Sequence, residues 1–209
     1  MTATPAWVAA QDPARWLTAR ERARCDAAPS ARRQAERRAG RLAVKRLLLD
    51  AFGVAPLAYE VGTDGLAPLL CGWPEVTAIS ISLSHSAGLG AASWADAGES
   101  VGVDAQHIRP AHPGLAARAL TAREREQAGR LPSDAGTLLL WALKEAAIKA
   151  RRRAWGRALR EVVVTLDAPG EEAGTAWIEV AGEAEMRAWY GRQGDWWVAR
   201  AVASHRHGF

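Results

Sequence analysis

The sequence predicts an α+β fold in two halves, with helices packed on antiparallel sheets. Helical periodicity marks residues 31–52 in the first half and residues 138–153 in the second. Segments of strand character follow these helices, and the chain has neither a GxGxxG nor a P-loop motif, which argues against a βαβ nucleotide fold. We predict an N-terminal half at residues 1–98 and a C-terminal half at residues 99–209.

The elements of the first half follow from local patterns. Apolar residues on one helix face predict a helix over residues 31–52, and GTDG at residues 62–65 is a turn sequence. Residues 76–83 alternate isoleucine and leucine with serine, which is typical of a half-buried strand. Two further strands are predicted at residues 89–94 and 100–104.

In the second half, residues 115–130 look helical, with Thr121 as a possible N-cap inside them. Residues 138–153 have the strongest helical pattern in the chain. Three strands are then predicted, at residues 162–166, 177–180 and 196–203.

Composition excludes several classes of protein. With 49% apolar and 24% charged residues, the chain can bury a core and is not a disordered tail. Its apolar runs are far shorter than the roughly 20 residues that span a bilayer, and no signal peptide is readable. Cys25 and Cys71 are too few for a disulfide scaffold. We expect a soluble, cytoplasmic protein without a membrane partner.

Basic residues are concentrated near the N-terminus. The chain holds 24 Arg and three Lys, and residues 15–46 have a net charge of +8. On the predicted helix, cations recur every four residues at Arg33, Arg37, Arg41 and Lys45, beside an apolar face of Ala35, Ala39, Leu42 and Leu49. Like charges at this spacing repel. The ladder is therefore either an ordinary solvated face or a site for a phosphate-rich ligand.

Two of the three lysines lie on the predicted helix 138–153, which also holds Glu145. Glu145 and Lys149 are spaced i, i+4 and share a stripe with apolar residues and Trp141. An exposed helix ion pair is the plain interpretation. Because charges on a packing face need further partners, a metal, a phosphate or both form the alternative.

The strand 100–104 ends in Asp104, with Gln106 two residues later and therefore on the same face. Mg²⁺ in proteins typically takes one or two carboxylates together with phosphate oxygens and water. Asp104 and Glu145 could be that pair, although an aspartate after a strand is often only a turn residue.

Three segments, in order, resemble the 4′-phosphopantetheinyl transferases of the surfactin-synthetase-activating type. They are SLSHSAG (82–88), SVGVDAQ (100–106) and LLLWALKEAAIKA (138–150). The last contains the pattern W-x-x-K-E-x-x-x-K, which is the most specific of the three. The resemblance implies two similar α/β halves related by a pseudo-twofold, a cleft between them that holds the active site, and a monomeric, cytoplasmic protein.

The resemblance also implies a reaction. The 4′-phosphopantetheine group of coenzyme A would pass to the serine hydroxyl of an apo acyl-carrier or peptidyl-carrier protein, with Mg²⁺ bound and adenosine 3′,5′-bisphosphate released. The carriers would serve secondary metabolism, such as polyketide or nonribosomal peptide synthesis. Nucleic acid is not among the partners it implies.

Roles follow for the matching residues. Asp104 and Glu145 would hold Mg²⁺, Glu145 would accept the serine proton, and Lys149 with Lys144 would offset charge on the leaving phosphate. The nucleotide end and the 3′-phosphate would contact five residues: Ser84, His85, Arg33, Arg37 and Arg41.

The chain departs from the family pattern at several positions. Gln106 stands where a second glutamate is usual, so that its neutral amide oxygen, or a water, would complete the metal site. Leu66 and Ser82 replace a usual lysine and asparagine, and RRRAWGRAL at residues 151–159 replaces a Gly-rich pattern. Two alternatives stay open: a nucleic-acid-binding protein that uses the arginine block and the scattered Trp residues, and, because of Gln106, an inactive homologue that only binds carrier proteins.

Overall fold

The computed structural model of the protein describes residues 1–64, 67–73, 78–132, 134–152, 158–167 and 170–204. Two compact units divide the chain, one at Met1–Ala97 and the other at Gly98–Phe209. Each combines helices with antiparallel strands, so that the predicted mixed α+β class is confirmed. In the described part of the chain, no helix is long and apolar enough to cross a membrane.

Unit 1 packs a long helix on a small sheet. Its helices are α1 (Pro5–Ala10), α2 (Pro13–Trp16), α3 (Ala19–Asp26) and α4 (Ala31–Phe52). Its strands are β1 (Thr2–Ala3), β2 (Glu60–Thr63), β3 (Pro68–Cys71), β4 (Ile79–Ser86) and β5 (Leu89–Asp96). The sheet has the order β1-β5-β4, and β2 pairs with β3. Gly62 and Thr63 of the predicted turn belong to β2, and residue 65 lies outside the described residues.

Helix α4 has the predicted bounds because both ends have capping signals. The Ser30 side chain accepts from the N–H of Arg33, and Gly53 ends the helix with a left-handed φ of 67°. The predicted faces are wrong at two positions, since Ala35 is exposed and Lys45 is fully buried. Each i+4 step turns about 40° around a helix, so a ladder of four such residues cannot stay on one face.

Unit 2 packs one buried helix on a larger sheet. Its helices are α5 (Leu115–Ala119), α6 (Ala122–Ala128), α7 (Ala135–Ala150) and α8 (Ala158–Glu161). Its strands are β6 (Glu99–His107), β7 (Val162–Leu166), β8 (Ala173–Val180), β9 (Met186–Gln193) and β10 (Trp196–Ser204). Among the described residues, they form one antiparallel sheet in the order β6-β10-β9-β8-β7.

Helix α7 touches strand β6 backbone to backbone. A Cβ atom added to Gly102 would lie 1.8 Å from the carbonyl oxygen of Ala146 and 2.5 Å from the nitrogen of Ala150. Since Gly102 faces α7, Asp104 and Gln106 face the same way along the strand. Glycine is required here because any side chain would separate the helix from the strand.

Several predicted elements differ from the structure. The predicted helix 115–130 is divided into α5 and α6 because Leu120 has an extended backbone, and Thr121 is the N-cap of α6. The prediction also omitted β9, the three short helices before α4 and the strand β1. Residues 76 and 77 of one predicted strand, and residue 153 of a predicted helix, lie outside the described residues.

The six-residue sequence LTARER, which was not among the predicted motifs, occurs once in each unit, at residues 17–22 and 120–125. In both places the threonine and the glutamate form a capping box at the start of a helix. The other carboxylate oxygen of each glutamate accepts from a strand N–H at 2.8 Å. The same local sequence therefore joins a helix to a strand in each unit.

Each of these glutamates is also paired with a buried lysine. Lys45 on α4 lies 3.1 Å from Glu21, and Lys144 on α7 lies 2.9 Å from Glu124. All four residues are fully buried, and burial lowers the pKa of both lysines. The ammonium groups also donate to backbone carbonyls, of Pro56 and Tyr59 in unit 1 and of two residues near β7 in unit 2.

Candidate active site

Four predicted site residues lie together in unit 2, at the contact of β6 with α7. Asp104 is 2% exposed, and its two carboxylate oxygens have different partners. The Lys149 ammonium lies 2.6 Å from Oδ1, and the Gln106 amide nitrogen donates to Oδ2 at 2.9 Å. Lys149 also donates to the Val103 carbonyl at 3.0 Å. Lys149 therefore forms its ion pair with Asp104 on the neighbouring strand β6, rather than with Glu145 one turn earlier on α7.

Glu145 completes this group. Burial, and then the charge of Asp104, raise the pKa of Glu145 to about 9, against the lowering effect of the Lys149 charge. A hydrogen bond with Asp104 raises the pKa further, whereas a hydrogen bond from the Trp141 side chain lowers it. The Glu145 carboxyl group therefore keeps its proton near neutral pH, because one ammonium cannot balance two buried carboxylates.

This group of oxygens suits a divalent cation. A bound dication would remove the reason for the raised pKa of Glu145, because it would stabilise both carboxylates in their ionised form. Since the nitrogen of Gln106 is used by Asp104, its oxygen is the atom available as a ligand. Two carboxylates and one amide oxygen leave room for phosphate oxygens and water, as Mg²⁺ requires.

Lys144 does not belong to this group, which corrects the prediction that it faces a phosphate beside Lys149. Its ammonium is fully buried and lies between Glu124, the Val162 carbonyl at 2.7 Å and the Leu159 carbonyl at 3.1 Å. The reason is geometric, since successive helix residues point about 100° apart. When Glu145 faces β6, Lys144 must face another side of α7.

The predicted arginines are part of unit 1. Arg33 and Arg37 are exposed on α4, and Arg41 is half-buried. Arg37 donates to the carbonyl of Arg24 at 3.2 Å, and Arg41 donates to that of Arg37 at 3.3 Å. The buried Nε of Arg41 has no hydrogen-bond partner among the described residues. This N–H group can therefore still donate to an anionic acceptor.

The SHS segment ends β4 directly against α4. A Cβ atom added to Gly40 would lie 3.1 Å from the Leu83 side chain and 3.4 Å from the His85 ring. His85 therefore packs at the residue that precedes Arg41 in the helix. Ser84 is 6% exposed on the other face, so that the serine face of the strand is also partly buried.

Two functional contacts were missed from the sequence. Trp141 was read as an apolar residue of the stripe, yet its side chain hydrogen-bonds to Glu145, and the i, i+4 spacing of the two residues was a usable signal. Gly102 lies in the SVGVDAQ segment but was given no role of its own, yet it allows α7 to reach β6. Leu66, which was named as a departure, and residues 153–157 lie outside the described residues.

The raised pKa of Glu145 predicts how stability depends on pH. In the unfolded chain Glu145 has the ordinary pKa of about 4.5, whereas burial raises its pKa in the folded protein to about 9. The folded state binds more protons between these values, so the metal-free protein should lose stability as pH rises through that window. We expect a loss of at least ~1 kcal/mol, the equivalent of about one pKa unit, in urea unfolding between pH 5.5 and 8.5.

The Glu145→Gln variant provides the control, because it has no proton to release. Its stability should change less over the same pH range than that of the unchanged protein. A pH profile that is identical in the two proteins would contradict the assignment.

Comparison with known proteins identifies the family of the segment that holds this site. No curated protein matches the chain significantly. The family model of the 4′-phosphopantetheinyl transferase superfamily matches residues 100–204. This segment includes α7, all of β6 but its first residue, and the group formed by Asp104, Glu145 and Lys149. Because that match covers half of the 209 residues, the chain belongs to the 4′-phosphopantetheinyl transferase superfamily.

Proposed function

We propose that this chain is a phosphopantetheinyl transferase of the surfactin-synthetase-activating type. It moves 4′-phosphopantetheine from coenzyme A to a serine hydroxyl of an apo acyl-carrier or peptidyl-carrier protein and releases adenosine 3′,5′-bisphosphate. The observation that supports this most is the buried group of two carboxylates, an ammonium and an amide on β6 and α7. This group lies inside the segment that matches the superfamily.

Each residue of the group has a chemical role in the proposal. Attack of the serine oxygen on the β-phosphorus of coenzyme A forms one P–O bond as the bond to the leaving phosphate breaks. Glu145 accepts the serine proton as the general base. Lys149, fixed by Asp104, offsets the charge that develops on the leaving phosphate. The ionised form of Glu145 is the one that acts.

Magnesium is the cofactor that this proposal requires. Oxygens of Asp104, Glu145 and Gln106 would hold the ion, and when bound it supplies charge neutralisation for a pyrophosphate. Gln106 contributes no charge of its own. We therefore expect Gln106→Glu to bind the ion more tightly than the unchanged protein does.

Residues of unit 1 are proposed to bind the nucleotide end of coenzyme A. His85 packs on α4 next to Arg41, whose buried Nε has no partner among the described residues. Arg33 and Arg37 add positive charge on the preceding turns of the helix. Guanidinium groups are well suited to phosphate because they donate in a fixed planar geometry. Ser84 lies next to His85 and is proposed to contact the same end of the ligand.

The two units are proposed to be similar halves. Support comes from the LTARER sequence, which forms the same capping box and the same buried ion pair in each unit. We further propose that the protein acts as a cytoplasmic monomer on carrier proteins of polyketide or nonribosomal peptide synthesis, as the resemblance implies.

One experiment tests the function directly. The protein is incubated with coenzyme A, Mg²⁺ and apo carrier proteins of the acyl and peptidyl types, and intact-mass spectrometry detects the phosphopantetheine adduct. An adduct that requires all three components supports the proposal. No adduct on any carrier would refute it, and binding of a carrier without an adduct would favour the inactive homologue.

A narrower prediction concerns the 3′-phosphate. We expect Arg41→Ala to raise the KM for coenzyme A by about tenfold or more, the usual value of a hydrogen bond to a charged group. The KM for 3′-dephospho-coenzyme A, which lacks this phosphate, should change little. Steady-state kinetics with both donors measures the difference.

Arg32→Ala is the matched control, since Arg32 lies on the same helix but pairs with Glu36 at 3.0 Å. It should leave both KM values unchanged. Equal effects of Arg41→Ala on the two donors would contradict a contact with the 3′-phosphate.

A further inference from the structure

The buried ion pair of Lys144 and Glu124 joins three elements of unit 2. Glu124 belongs to α6, Lys144 belongs to α7, and both also bond to the backbone of β7. Glu124 accepts from the N–H of Val164, and Lys144 donates to the carbonyl of Val162. The ammonium therefore has three fixed acceptors, from Glu124, Leu159 and Val162, which is as many as it has protons.

Stability alone is a weak explanation of such a pair. A buried ion pair is often no more stable than apolar side chains of similar volume, because both charges lose their hydration. A fully bonded ammonium group does make directional contacts. An apolar side chain can slide over its neighbours, whereas a side chain held by three hydrogen bonds cannot. These hydrogen bonds therefore constrain the orientation of α7.

The direction of Lys144 on α7 also fixes the directions of Glu145 and Lys149. Glu145 lies about 100° around the helix from Lys144, and Lys149 about 140°. With Lys144 held against α6 and β7, these two side chains must point toward the other side of α7, where β6 holds Asp104. A rotation of α7 about its axis would move both of them away from Asp104.

We propose that Lys144 and Glu124 are positioning residues that fix the rotation of α7, and thereby hold Glu145 and Lys149 against Asp104 in the geometry that binds a divalent cation. The proposal rests on the proposed function, because that function is the reason for a metal site at Asp104. It can be tested independently of that function, because metal binding is measured without coenzyme A or a carrier protein.

The first measurement uses Lys144→Met, which keeps the length of the side chain and removes its charge. Binding of Mn²⁺ to the folded protein alone is followed by electron paramagnetic resonance, with circular dichroism to confirm folding. We expect the Kd for Mn²⁺ to rise by about tenfold or more, the usual effect of losing a residue that orients metal ligands. In transfer assays kcat should fall with it, whereas the KM for coenzyme A should stay within about twofold, as expected when transition-state contacts are lost.

Two variants separate positioning from stability. Ile178→Ala opens a cavity at a fully buried position of β8, and it should lower the melting temperature without weakening Mn²⁺ binding. The double variant Lys144→Met with Glu124→Gln removes the uncompensated buried charge, and it should regain part of the melting temperature while Mn²⁺ binding stays weak. If metal binding and melting temperature recovered together, the pair would be merely structural and the proposal would be wrong.

Three further outcomes distinguish a failure of the positioning role from a failure of the proposed function. If the unchanged protein forms no adduct but Lys144→Met weakens its Mn²⁺ binding, the positioning role is supported although the proposed function fails. If the unchanged protein is an active transferase and Lys144→Met binds Mn²⁺ normally, the positioning role fails alone. If the unchanged protein binds no Mn²⁺, there is no metal geometry to maintain and the inference is overturned.

Discussion

Glu145→Gln is expected to lower the kcat of phosphopantetheine transfer by at least about a thousandfold, which corresponds to ~4 kcal/mol of transition-state stabilisation. The amide has nearly the same size as the carboxylate, but it can neither accept the serine proton nor balance the charge of a dication. Asp104→Asn should have a similar effect, because it removes the carboxylate that holds Lys149 at 2.6 Å. Steady-state assays at saturating coenzyme A and Mg²⁺ measure both losses.

The matched control is Glu126→Gln on α6, an exposed glutamate that pairs only loosely with Arg130 at 3.7 Å. It should retain the kcat of the unchanged protein. Retention of full activity by Glu145→Gln or Asp104→Asn would show that the metal assignment is wrong, even if the protein is a transferase.

The second large effect is expected at Gly102. An alanine there would place its Cβ 1.8 Å from the Ala146 carbonyl oxygen and 2.5 Å from the Ala150 nitrogen. Both atoms belong to the backbone of α7, so no side chain can rotate away and the whole helix must shift. We expect the free energy of unfolding to fall by about 3 kcal/mol, the upper range for overpacking a core. Urea unfolding measures the loss.

The same shift should reduce activity beyond the loss of stability. Helix α7 also carries Glu145 and Lys149, so that pushing it from β6 lengthens their contacts with Asp104. Gly191→Ala is the control, since its Cβ would have no neighbour nearer than the Glu172 oxygen at 4.0 Å. A Gly102→Ala protein as stable as the Gly191→Ala protein would contradict this packing.

The sequence predicted correctly those helices and strands whose ends are determined by residues within or next to the element itself. The bounds of α4 were correct because Ser30 and Gly53 cap it, and those of β7 were correct because a short apolar run marks it. Thr121 was recognised as an N-cap for the same reason. Strand β9 was missed because its Arg, Gly and Gln interrupt the apolar alternation, and its pairing with β8 and β10 decides its conformation.

The candidate site was partly predictable. Strand periodicity put Gln106 beside Asp104, and the structure places its amide on that carboxylate. Helix spacing put Glu145 and Lys149 on one stripe, but the partner of Lys149 is Asp104, which is 45 positions away in the chain. Pairings of this kind depend on which elements pack together, and no local pattern contains that information.

The three lysines show what could not be predicted from the sequence alone. Its patterns determined the fold class, the cationic character of α4 and the few carboxylates that could bind a metal. Only the tertiary structure decided that Lys149 faces the site, whereas Lys45 and Lys144 are buried ion-pair partners of Glu21 and Glu124. The physical reason is that the environment of a charge is set by residues distant in sequence: one ammonium group pairs with an aspartate at the candidate site, whereas the other two pair with fully buried glutamates.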